Sequence, residues 1–112
     1  MKRLLLPLLT ALALPTAVNS GSPNFAEKGY AASILGANLC HLRQGRLTKQ
    51  SFVLNVENLM LKKGYDINFL YQDNVRKAGK LIANKLGNNC TNQEVLQEER
   101  FIIQITEILR EL

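Results

Sequence analysis

The side chains able to do chemistry in this 112-residue chain are few. His41 is the only histidine, and it stands beside Cys40. A metal site needs several donors converging on one point, whereas adjacent residues of a helix point about 100° apart. The pair therefore makes no metal centre, and a covalent haem site would need two cysteines shortly before the histidine. Nucleophilic catalysis is no better served. Ser22, Ser33 and Ser51 stand in no strand-turn-helix elbow, and a triad would require His41 to meet Asp66 or Asp73 across the fold. Glu98-Glu99 and Glu107/Glu111 are carboxylate pairs, but acids at such spacing ordinarily form a solvated helix face. The reading is a non-enzymatic protein, with no catalytic residue, no metal and no cofactor.

Interaction chemistry is better represented. Arg76, Lys77, Lys80 and Asn84 fall within an arc of about 100° on a helix, a small cationic face suited to phosphate or carboxylate groups. From Phe101 onward, Ile102, Ile103, Ile105, Ile108, Leu109 and Leu112 spread over more of a helix circumference than one core requires. Either that helix is central in the fold, the preferred reading, or part of its surface meets another chain. The candidate binding surface is thus Arg76, Lys77 and Lys80 together with Phe101, Ile105, Ile108 and Leu112.

Where such a surface would work follows from the first 20 residues. Met1-Lys2-Arg3 is a cationic start, Leu4 to Val18 is a Leu/Ala-rich apolar run, and Val18-Asn19-Ser20 offers small residues for a peptidase. The run is shorter than the roughly 20 apolar residues needed to span a bilayer, and it holds Pro7 and Pro15. Residues 1–20 therefore read as a cleavable signal peptide, and residues 21–112 as one periplasmic or secreted domain with no stable membrane anchor. In an oxidising compartment Cys40 and Cys90 are expected to pair. Closing that span would stabilise so small a fold by about 4 kcal/mol on the chain-entropy account.

Removing Lys2 and Arg3 leaves twelve Lys/Arg against nine Asp/Glu, a net charge of +3. Residues 21–90 hold ten cations and four acids, and residues 91–112 hold two and five, so the body is basic and the tail acidic. Such a field suits a protein partner or an anionic envelope component, with a homodimer also open. Without interleaved aromatic and basic residues, nucleic acid is not expected.

The elements that must position these residues are helices. Ser22-Pro23-Asn24 opens the first, Phe25, Ala32, Leu35, Leu39 and Leu42 share a face, and Gly45 ends it. The second starts at Thr48, presents Phe52, Val53, Val56, Leu59 and Met60, and stops at Gly64 after Lys62 and Lys63. A third is predicted from Asp66 or Asn68 to Leu86 along Ile67, Tyr71, Val75, Ala78 and Ile82, with Gly79 marking a close helix contact or a weak point. Thr91-Asn92-Gln93-Glu94 matches a capping box that would start a fourth, running to the C-terminus. No segment alternates like a strand. The expected fold is all-α: a small up-down four-helix bundle stapled by one disulfide, with both cysteines at the same pole.

The stretch Gly29-Tyr30 through Cys40-His41-Leu42-Arg43-Gln44-Gly45, with Cys90, resembles small exported helical proteins of cyanobacteria that carry one disulfide. In outline it is also similar to periplasmic acid-stress chaperones of the HdeA type, whose single disulfide brackets a helical core. It departs from those chaperones in lacking an aromatic-acidic sequence around the first cysteine. The resemblance implies a binding or interaction module, or alternatively a periplasmic holdase or immunity-like inhibitor.

Overall fold

The structure is a computed structural model and describes residues 24–110; the expected signal segment, residues 1–20, and Leu112 lie outside the described residues. The described chain is all-α. Four helices follow in order, α1 Phe25–Arg43, α2 Lys49–Lys63, α3 Asp73–Lys85 and α4 Glu99–Arg110. Two 3₁₀ segments intervene, Ile67–Tyr71 before α3 and Gln93–Gln97 before α4.

The signals bounding α2 act as the sequence implies. Thr48 Oγ1 accepts a hydrogen bond from the Ser51 amide at 3.1 Å, satisfying one of the free donors of the first turn. Gly64 closes the helix at φ 75°, a left-handed conformation that costs glycine least. Asn24 precedes α1 in the expected place but caps differently: it is itself left-handed, at φ 61°, and its side chain makes no capping bond.

Two expected helices are shorter than their apolar period. The third breaks at Gln72, which is extended (φ −73°, ψ 140°), because Asp66 and Asn74 offer the backbone local alternatives. Asp66 Oδ1 accepts from the Asn68 amide at 2.9 Å and starts a 3₁₀ turn, and Asn74 Oδ1 accepts from the Val75 amide at 2.8 Å in the first turn of α3. Tyr71 accordingly turns outward and is 54% exposed, where the periodicity placed it inward. The fourth helix begins at Glu99, not at the capping box. Asn92 heads the second 3₁₀ segment with no side-chain cap, and Glu98 is extended at ψ 131°.

The helix at the centre is α1, not the last one. Phe25, Ala31, Ala32, Ile34, Leu35 and Cys40 are buried around its circumference, and even Lys28 keeps only 8% of its surface. The apolar spread of α4 has a simpler outcome. Phe101, Ile105, Ile108 and Leu109 face inward, while Ile103 is left 49% exposed. An outer helix packed on α3 and α1 needs that stripe and no more.

α1 and α3 meet most closely at two glycines. A Cβ on Gly36 would lie 2.4 Å from Ile82 Cγ2, and one on Gly79 would lie 3.0 Å from Leu35 Cβ. The close contact anticipated at Gly79 is thus real, and Gly36 is its tighter half. Further along the same pair, Arg43 donates to Asn84 Oδ1 at 2.5 Å, and Cys40 and Cys90 form a disulfide with Cα atoms 5.8 Å apart. Contacts that advance together along both helices mean that α1 and α3 run in the same sense. α2 returns along α1, with Lys63 Nζ 5.4 Å from the centroid of the Tyr30 ring. α4 returns along α3, with Lys85 Nζ 5.6 Å from that of Phe101 and Asn74 Nδ2 donating to the Leu109 carbonyl at 3.3 Å.

Two pairs of helices are not packed together, α2 with α3 and α2 with α4. α2 and α3 each lie on α1 and bring no Cα atoms within 8 Å of one another, and the first 3₁₀ segment bridges them at one end.

Candidate functional site

The gap between α2 and α3 forms a groove of about 330 Å³. Its floor is α1, through Leu35 and Leu39. Phe52, Val53 and Val56 make the α2 wall, and Leu70 and Tyr71 close the end where the 3₁₀ segment crosses. The α3 wall is Arg76, Gly79 and Lys80. Gly79 belongs there for the reason that makes it a packing residue: lacking a side chain, it lets α3 approach α1 and leaves room beside the crossing.

Each wall follows from a local rule. Phe52, Val53 and Val56 lie on one side of α2 because three- and four-residue spacings stack on a helix face. Val56 is 2% exposed and seals the base, whereas Val53 at 39% stands at the lip. Arg76 and Lys80, one turn apart on α3, are both exposed and share a side for the same geometric reason. Neither side chain has an ion pair or hydrogen bond with another described residue. Lys77 is equally exposed but does not line the groove.

The polar rim is completed by a pair on the α2 side. The Tyr71 hydroxyl donates to the Glu57 carboxylate and ties the 3₁₀ segment to α2. That bond, then partial burial and the carboxylate charge, raise the Tyr71 pKa above its usual 10.0, because each favours the protonated phenol. Groove chemistry is therefore apolar at the base, cationic along α3, and occupied by a committed hydrogen bond at the α2 end.

The cationic edge continues toward the disulfide. Asn84, the fourth residue of the predicted basic face, is taken up by Arg43. Beyond it, Arg46 Nη1 lies 3.0 Å from His41 Nδ1 and 3.5 Å from the Asn89 carbonyl. A guanidinium only donates, so Nδ1 of His41 is the accepting nitrogen in that bond, and it is Arg46 that reaches the chain beside Cys90. Among the described residues no group of three or more His, Cys, Asp or Glu side chains could hold a metal ion.

Of the predicted surface, the structure brings Arg76 and Lys80 to one groove and leaves Lys77 on its flank. Phe101, Ile105 and Ile108 are 4%, 0% and 5% exposed, so they are core and not a face open to a partner. Leu112 lies outside the described residues. The apolar walls are what the sequence reading missed. Leu35, Leu39, Phe52, Val53 and Val56 were legible as inward stripes, but no pattern in one chain says that α2 and α3 stay apart. No family model, curated protein or solved structure matches this chain.

Proposed function

We propose that this chain is an exported, non-enzymatic binding protein that holds an anionic, partly apolar component of the cell envelope in the groove between α2 and α3. The observation that carries this reading is the pairing of an apolar cleft with two cations, Arg76 and Lys80, on one wall that have no partner among the described residues. Pockets of this size, mostly apolar with a few polar groups for orientation, are the usual form of small-ligand sites. The lining offers apolar bulk and positive charge, with no histidine, cysteine, serine or carboxylate among its residues, which supports binding over turnover. Export rests on the pattern of residues 1–20, and a disulfide in the fold is compatible with it. No helix among the described residues is long and apolar enough to cross a membrane.

The test is binding of an anionic naphthalenesulfonate dye to the folded chain, with far-UV circular dichroism and a cooperative melt as folding controls. One saturable site is expected, lost in the Arg76→Glu/Lys80→Glu double variant and kept in Lys77→Glu. Absence of saturable binding, or equal binding by all three proteins, would remove the groove as the functional site.

A further inference from the structure

We infer that the ligand of this groove is a free single-chain anionic amphiphile, a medium-chain fatty carboxylate, with its acyl tail on Leu39, Phe52, Val56 and Leu70 and its head group between Arg76 and Lys80. The inference rests on the binding role proposed above and narrows it to one class of ligand.

Three observations select this chemistry. The first is the polarity of the base. Leucine, valine and phenylalanine side chains supply no hydrogen-bond partner, and the one hydroxyl at the lining, that of Tyr71, is already given to Glu57. Whatever lies in the groove must carry no polar group along its buried length, since an amide there would lose its water without replacement. An extended peptide has an amide at every residue and fits poorly, whereas an alkyl chain has none.

The second is size. A groove of about 330 Å³ is at the small end of ligand sites, which run from roughly 300 to 1,000 Å³, and suits one short chain better than a two-chain lipid. The third is the placement of charge. Arg76 and Lys80 stand a turn apart at the α3 edge with no partner among the described residues, and a guanidinium fork beside an ammonium matches the two oxygens of a carboxylate. Glu57, on the α2 side, repels an anion from that wall and so turns the head group toward α3.

The test is calorimetric titration of the full chain, below micelle-forming concentrations, with decanoate, decanol, decyltrimethylammonium and acetate. Decanoate is expected to bind at one site, decanol about tenfold more weakly for want of the charge-assisted hydrogen bonds, and the other two not measurably. Arg76→Gln/Lys80→Gln should bring decanoate down to the affinity of decanol while leaving decanol unchanged. Val53→Trp, at a lip position that tolerates a large side chain, should block both. Equal affinity for decanoate and decanol, decanoate binding indifferent to the double variant, or displacement of decanoate by a leucine-rich acidic peptide at lower concentration would overturn the inference. If decanoate fails while the naphthalenesulfonate dye still binds, the fatty chain is wrong and the broader binding role stands; if both fail, both readings fall.

Discussion

At the scale of single residues, the clearest anomaly is Thr106. It is 7% exposed on the inner side of α4, and its hydroxyl finds no hydrogen-bond partner among the described residues. A buried hydroxyl without a partner costs about 1–3 kcal/mol of desolvation. Thr106→Val keeps the branched shape and removes the hydroxyl, and is expected to stabilise the fold by about 1 kcal/mol, read as a higher denaturation midpoint. Tyr71 gives a prediction in pH. Its folded pKa lies above the unfolded value of 10.0, so the bond to Glu57 contributes stability that is fully present below pH 10 and lost as pH rises through the folded pKa. Denaturation midpoints should fall in that alkaline range for the native chain, and Tyr71→Phe should reduce the fall. Residue-level reading succeeded at Thr48 and Gly64, where the deciding interactions lie within a few positions of the residue. It failed at Asn24 and Thr91, whose side chains look equally suited to capping, because the backbone there follows the packing of the helix it leads into.

At the scale of elements, the α1–α3 crossing decides which glycine matters. Gly79 stands out in the sequence as a glycine inside an amphipathic helix, yet Gly36 is the more constrained, with Ile82 Cγ2 at 2.4 Å from an added Cβ against 3.0 Å for Gly79 and Leu35 Cβ. Alanine at either position gains about 1 kcal/mol of helix propensity, and overpacking costs about 1–3 kcal/mol. Gly36→Ala should therefore lower stability clearly, and Gly79→Ala should change it little, in parallel thermal melts. Fold class and the number of helices were legible because glycine stops and apolar periods coincide. Which helix is central was not. The isoleucine-rich run of α4 promised a buried position, but α1 occupies the centre because its small residues, Ala31, Ala32, Ser33 and Gly36, let neighbours approach from several sides. The two 3₁₀ interruptions were hidden for a related reason: apolar spacing continues across Gln72 and Glu98, although the backbone does not.

At the scale of the whole molecule, the disulfide joins Cys40 to Cys90 across 50 residues and encloses α2 and α3 in one covalent loop. Opening it should withdraw about 4 kcal/mol, a large share of the 5–15 kcal/mol that holds a typical domain together. Chemical denaturation with and without reductant should show a much lower midpoint for the reduced chain, and Cys40→Ala/Cys90→Ala should match it. Pairing was legible once export was assumed, since compartment and chain size both favour it; the groove was not, because it is a property of how two helices fail to meet. That failure has a further consequence for α2. Only Val56 and Met60 of its fifteen residues are fully covered, each worth about 1.5–3 kcal/mol of burial, and among the described residues α1 and the short first 3₁₀ segment are its only neighbouring elements. Amide hydrogen exchange should therefore find the α2 backbone opening at a smaller free energy than α1 and α3, as a separate cooperative unit. The wall of the groove that carries Phe52 and Val53 is then its least stable one, tethered at both ends by the covalent loop yet able to lift from α1 without unfolding the rest.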